Sequence, residues 1–347
     1  MNFVFYYSVE ANATRQVNIS YNNYMYNGGF SGTEGPMIEM AHYLASNGHR
    51  VYFCGCSEEP PECNGNLIYS KNLTKEIISY ADVFIPFFRI LQDINDYANP
   101  IHPYEGEFKD IWILMSNMKK NSKVFLWVQI HIEAQLIALM AGICDAIGLE
   151  LNIIYVSNYI KQFHERMMQR INYDYNKHKS TIIYNSINKE IFSKPINATE
   201  FEKQGNHAYL SHPARGKTHA ETIARMVGAK LHSQDYTLSK SVGKQGVKEI
   251  YDKCDYFVYP LTRTNGVVHH DTYACVVHEA MACGAIVITW DVACMRDIYG
   301  ENIILIEPPH HKNYCRWSEA NWNPKMADAN ALNLFANKIF DLNSKSD

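Results

Sequence analysis

The chain of 347 residues has no apolar run approaching the ~18 residues that would span a bilayer, so no integral membrane segment is expected. It has no basic start, no long apolar core after one and no small-residue cleavage site; Met1 to Ser8 run straight into an apolar segment. No signal peptide is read, and a cytoplasmic protein is expected. There is no excess of one charge: 32 Lys and Arg stand against 36 Asp and Glu, a net −4. A nucleic-acid partner, which needs a basic domain or stripe, is therefore not expected, and Arg215 to Lys217 is too short to supply one. Cysteine is scattered and odd in number, nine in all, which fits reduced thiols packed as small apolar groups. Cys54, Cys56 and Cys63 come nearest to a metal set, but no second pair stands at finger-like spacing, so no metal site is expected. Asn72-Leu73-Thr74 and Asn197-Ala198-Thr199 match the glycosylation acceptor pattern; without a secretion signal they are read as chance. No repeat of fixed period and no low-complexity tract is present.

What is there is ordinary for a globular protein: 47% hydrophobic and 20% charged residues, in a length suited to two domains. Short apolar runs alternate with helix-period segments. Phe3 to Tyr7, Val51 to Cys54, Val83 to Phe87, Val124 to Val128 and Ile153 to Val156 read as buried strands. Ile182 to Tyr184, Ala208 to Leu210, Tyr256 to Tyr259, Ala285 to Thr289 and Ile303 to Ile306 continue the series. Runs this continuous fit parallel sheets covered on both faces, and strands alternating with helices imply doubly wound α/β domains. Met37, Met40, Ala41, Leu44 and Ala45 define one helix, with Pro36 near its start and Gly48 past its end. A second carries Ile160, Phe163, Met167 and Ile171, and a third runs from about Val276 to Cys283 and stops at Gly284. A polar stretch with Pro195 and Gly205, between about Asn185 and Asn206, marks the junction. The expected division is residues 1–180 and 181–323. A last helix over 324–342, apolar at Leu332, Phe335, Ala336 and Ile339, is expected to dock back on the first domain.

Three stretches can carry chemistry. Gly28-Gly29-Phe30-Ser31-Gly32-Thr33-Glu34 precedes the first clear helix, where small residues admit a ligand close to the backbone and the helix start favours a phosphate. A tight loop without a ligand has the same composition, and the glycines do not fit the dinucleotide spacing. Ser211-His212-Pro213-Ala214-Arg215-Gly216-Lys217 follows a strand and opens a helix, which suits a diphosphate held by Arg215 and Lys217, although a solvated basic turn would look alike. Asp271 to Gly284 is the most informative: Asp271 precedes a helix, and Glu279 lies two turns on in apolar surroundings. A carboxylate there needs partners, and the two adjacent hydroxyls of a ribose match its two oxygens. Backbone N–H groups after Asp271 face outward at the helix start. His131 ends the strand region Trp127 to Ile130 and is either a site residue or a packed core histidine; His269 and His270 read as a solvated loop.

The stretch Asp271 to Gly284 resembles the E-x(7)-E region of retaining GT-B glycosyltransferases of the family 4 type, with Asp271 and Glu279 on the two carboxylate positions and Ala280-Met281-Ala282-Cys283-Gly284 matching directly. Ser31-Gly32-Thr33-Glu34, Gly48-His49-Arg50-Val51, Val156-Ser157-Asn158-Tyr159, Asn185 to Phe192 and Ser211 to Gly216 resemble further motifs of that family, in its order. The resemblance implies two Rossmann-like doubly wound domains facing a central cleft, with the nucleotide sugar on the C-terminal one. It implies a UDP- or GDP-sugar as co-substrate, no cofactor and no metal, and transfer to a glycan or other hydroxyl with retention. Glu279 would take the ribose; Asp271 with Thr272, Tyr273, Ala274 and Cys275 would hold sugar and phosphate. Arg215, with Lys217, would neutralise the diphosphate, Ser31 and Gly32 would approach it from the other domain, and His131 would serve the acceptor side. Departures are an Asp in place of the first Glu, Arg215 in place of a Lys, and a missing earlier arginine for which Arg263 could compensate. These keep open an epimerase-like enzyme or a weakened, binding-only relic on the same fold. Oligomeric state is not readable.

Overall fold

A computed structural model describes residues 1–7, 19–28, 34–56, 58–87, 104–129, 134–193, 205–234, 242–261, 263–264, 267–268, 271–308 and 329–344. The chain divides into two compact units, Met1–Asn23 with Thr33–Tyr184, and Tyr24–Gly32 with Asn185–Asp347.

The first unit is built on seven strands: β1 (Asn2–Tyr7), β2 (Arg50–Cys54), β3 (Leu67–Ser70), β4 (Val83–Phe87), β5 (Lys123–Val128), β6 (Glu150–Tyr155) and β7 (Lys179–Ile182). All pair in parallel, in the order β3-β2-β1-β4-β5-β6-β7. Between them run α2 (Glu34–Ser46), α3 (Lys75–Tyr80), α4 (Tyr104–Met115), α5 (Ala134–Ile147) and α6 (Asn158–Arg170), while α1 (Tyr21–Tyr26) starts in this unit and belongs to the second from Tyr24 on. The central strands β1 and β4 are apolar and buried along nearly their whole length, as strands covered on both faces must be. Helix α2 buries Met37, Ile38, Ala41 and Ala45, and Gly48 beyond it takes φ +82°, a conformation that a glycine adopts without a Cβ clash. Ser157 caps α6 by accepting from the Ile160 N–H at 3.3 Å. The expected strand at Ile182–Tyr184 lies earlier, at Lys179–Ile182, and Ile183 and Tyr184 are exposed. It is an edge strand, so only one side of it needs apolar cover.

The second unit carries β8 (His207–Tyr209), β9 (Leu231–Ser233), β10 (Tyr256–Tyr259), a two-stranded antiparallel ribbon of β11 (Arg263–Thr264) and β12 (Val267–Val268), then β13 (Ile286–Trp290) and β14 (Ile304–Ile306). The main sheet is again parallel, in the order β14-β13-β10-β8-β9. Its helices are α7 (Lys217–Met226), α8 (Lys244–Tyr251), α9 (Cys275–Ala282), α10 (Met295–Tyr299) and α11 (Ala329–Asn343). Phe257, Val258, Ile288 and Trp290 form the centre of its core.

The last helix packs within the second unit, against α7. Phe335 sets its ring edge-on to Trp290 at 4.6 Å between centroids, and Tyr256 donates a 2.6 Å hydrogen bond to Asn343. The apolar stripe Ala331, Leu332, Phe335, Ala336 and Ile339 is buried by those contacts.

Both strand orders reverse direction once, between β1 and β4 in the first sheet and between β8 and β10 in the second. Connections leave on opposite faces at such a point, so the carboxyl ends of the two strands open onto a crevice where ligands bind in open α/β sheets.

Candidate functional site

The switch point of the second sheet collects the charged residues. After β8 the chain runs through Ser211 into a 3-10 turn, Pro213–Arg215, and then into α7 at Lys217. The residue between turn and helix is Gly216, at φ +120°, which any side chain would strain. That turn sends the Arg215 guanidinium onto Oδ1 of Asp271 in an ion pair. The other oxygen, Oδ2, accepts the phenol hydrogen of Tyr259, the last residue of β10. With its one hydrogen spent on Asp271, the Tyr259 oxygen accepts from Ser211 Oγ at 3.1 Å and, weakly, from Arg215 Nη1 at 3.4 Å. Asp271 and Tyr259 are buried, while the Arg215 side chain is 38% exposed and so reaches the surface from a buried anchor. Burial by itself pulls the guanidinium pKa down; Asp271, Tyr259 and Tyr209 outweigh it and leave it raised. Burial first, then the Asp271 carboxylate, holds the Tyr259 phenol well above its usual pKa, so it stays a donor at working pH.

A second cluster surrounds Glu279, on the inner face of α9. The carboxylate is 2% exposed. Its Oε1 pairs with the ammonium of Lys244, the first residue of α8, whose nitrogen also lies 5.3 Å from the centre of the Tyr24 ring and 5.7 Å from that of Phe192. Its Oε2 is buried with no hydrogen-bond partner among the described residues. An acceptor left in that state is costly unless something else meets it.

Helix α9 begins without a side-chain cap, behind Ala274. Tyr273 donates to the Asn185 carbonyl at 2.6 Å and accepts from Nδ1 of His278. Tyr299 donates to the Ala274 carbonyl at 2.7 Å. Tyrosines thus tie down the loop from Thr272 to Cys275 from both sides. Cys275 is buried with Asn185 Nδ2 at 3.9 Å, and burial, with Glu279 nearby, pushes its thiol up to about 12, so it is a packed thiol and not a nucleophile.

Of the residues expected to act, Arg215 and Asp271 are in contact, and Glu279, Thr272, Tyr273, Ala274 and Cys275 are gathered on and before α9. Lys217 opens α7 and is half-buried. Ser31, Gly32, His131, His269 and His270 lie outside the described residues, as does the side chain of Arg263. No group of three or more His, Cys, Asp or Glu among the described residues is arranged to hold a metal ion. Sequence reasoning missed Tyr259 and Lys244. The first ends a strand in which an aliphatic residue would pack as well; the second is a single lysine 35 residues from its partner.

Residues 205–316, which hold the charged pairs of both clusters, match the family model described as Glycosyl transferases group 1. This stretch is a glycosyltransferase domain. No curated protein matches the chain in sequence. Among solved structures, AviGT4, a glycosyltransferase involved in avilamycin A biosynthesis, is similar at 10% identity and a TM-score of 0.52, over 94% of this chain and 87% of that one. Alr3699/HepE of Anabaena, in complex with UDP and glucose, gives 11% identity and 0.51, over 99% and 95%. An α-glucosyltransferase in complex with UDP and a DNA containing an HMU base gives 10% and 0.50, over 98% and 93%. The two parallel sheets with their helices have the GT-B glycosyltransferase fold that these neighbours share.

Proposed function

We propose that the chain is a retaining glycosyltransferase that moves a sugar from a UDP- or GDP-linked donor to a glycan or other hydroxyl acceptor without a metal. The observation that carries this reading is Glu279: a buried carboxylate with one oxygen unmet among the described residues, in the stretch that matches the glycosyltransferase family, on a helix whose first turn has no side-chain cap. A ribose offers two adjacent hydroxyls, which supply the missing donors. Arg215, anchored by Asp271 at the switch point, is placed to neutralise a leaving diphosphate, and Lys217 can add to it. Such fixed positive charge does what a divalent cation does elsewhere, which is the ground for expecting activity without metal. Nucleotide-bound neighbours of the same fold support a UDP-sugar as the first donor to try.

The test is release of UDP or GDP from a panel of nucleotide sugars, with chelator present, by the wild type and by Glu279→Ala and Arg215→Ala. One nucleotide released from one donor and lost in both variants establishes the reading. Release that needs added metal removes the metal-independent part. No release, with no thermal shift on adding UDP or GDP, would move the assignment to a binding relic or to other chemistry on this fold.

A further inference from the structure

The Tyr259 hydroxyl is buried at the centre of a set of polar groups that come from three separate stretches of chain: Ser211 and Arg215 after β8, Tyr259 at the end of β10, and Asp271 before α9. We propose that Tyr259 is a positioning residue for donor binding: with Asp271 it forms a fixed anionic bracket that aims Arg215 at the donor's diphosphate. This rests on the donor reading given above and deepens it.

The argument turns on what Asp271 needs. A carboxylate this buried is costly unless both its oxygens are met. The structure meets Oδ1 with Arg215 and Oδ2 with Tyr259. When a diphosphate competes for the guanidinium, Asp271 loses part of one donor and keeps the other. Tyr259 therefore lowers the cost of turning Arg215 outward. Without the hydroxyl, Asp271 depends on Arg215 alone, and the arginine is held back from the ligand. Ser211 completes the bracket by donating to the phenol oxygen, which fixes its hydrogen on the carboxylate. Asp271 then acts mainly as counter-charge to Arg215, and sugar contacts fall to the backbone that follows it.

Tyr259→Phe removes one oxygen and leaves the ring in its packing against Phe257, at 5.5 Å, and Tyr209, at 6.2 Å. The experiment is calorimetric titration of UDP, GDP, uridine and guanosine into the wild type, Tyr259→Phe, Arg215→Lys and the double variant, with melting curves on each. Expected is an about tenfold loss of diphosphate affinity in Tyr259→Phe, the scale of one hydrogen bond to a charged group, with nucleoside affinity unchanged. The double variant should lose little more than Arg215→Lys alone, because both changes act on one device. If the wild type binds a diphosphate and Tyr259→Phe binds it equally well, or loses nucleoside affinity in step, or adds fully to Arg215→Lys, the bracket is wrong while the donor reading stands. If the wild type binds neither diphosphate, the donor reading fails and the bracket fails with it.

Discussion

Lys244 places its ammonium on one oxygen of Glu279 and leaves the other oxygen of that buried carboxylate without a partner among the described residues. Removing the cation leaves a charge in an apolar setting. Breaking a buried pair from one side typically costs about 3–5 kcal/mol, and the 20% exposure of the lysine puts this case at about the lower end. Lys244→Met is therefore expected to lower the urea midpoint clearly. Lys244→Met combined with Glu279→Leu should recover most of the loss. If the single and double variants unfold alike, the pair is not the source of the effect.

Glu279→Gln keeps the shape of the side chain and removes its charge. Donor affinity is expected to fall about tenfold if the carboxylate accepts from ribose hydroxyls. A donor lacking the ribose 2′-hydroxyl should bind the wild type more weakly and lose less on mutation. Equal losses for both donors in a titration would place Glu279 away from the ribose.

His207 lies in β8, fully buried, with its ring edge-on to Tyr256 and neither ring nitrogen hydrogen-bonded among the described residues. Burial lowers its pKa to about 4 from the ordinary 6.5. The unfolded chain therefore takes up a proton that the folded chain refuses as pH falls between those values. Stability should drop across that window by about 3 kcal/mol from this group and be unaffected by it above pH 7. His207→Leu is expected to flatten that part of the curve of unfolding free energy against pH. An unchanged acid limb would show that other groups set it.

Two glycines should respond in opposite senses to alanine. A Cβ at Gly243 would stand 2.2 Å from the carbonyl oxygen of Met25, a backbone atom that cannot swing aside. Gly243→Ala should cost about 1–3 kcal/mol, as overpacking does. Gly142, exposed within α5, has open space around its would-be Cβ, and Gly142→Ala should gain up to about 1 kcal/mol from helix propensity. Denaturant titrations of the two variants check both signs.

Legibility followed burial. The central strands were visible as continuous apolar runs because both faces of a parallel sheet must be covered, as at Val83–Phe87 and Tyr256–Tyr259. Leu67–Ser70 and Leu231–Ser233 were not, because edge strands are short and half-exposed and their letters resemble loop. In the site, Arg215, Asp271 and Glu279 stood out as charges in apolar or strand-end settings. Their partners did not. Tyr259 sits in a run that reads as core, and it is core, except for one oxygen. Lys244 pairs with Glu279 only because α8 and α9 are brought side by side, which no spacing along the chain encodes. A polar residue closing an otherwise apolar strand just before Pro260 was the one cue available.

The segment Tyr24–Gly32 belongs with the second unit although it is made some 150 residues before the rest of it. The bare backbone of Gly243 is where that early segment is received. Synthesis from the amino terminus therefore delivers a first unit with one piece already promised elsewhere, and the second unit cannot be completed from its own end of the chain. A fragment beginning at Asn185 would lack a part that has to be supplied in trans. Adding a peptide that spans Tyr24 to Gly32 to such a fragment, and following its melting temperature, would measure how much of the second unit's stability was lent by the start of the chain.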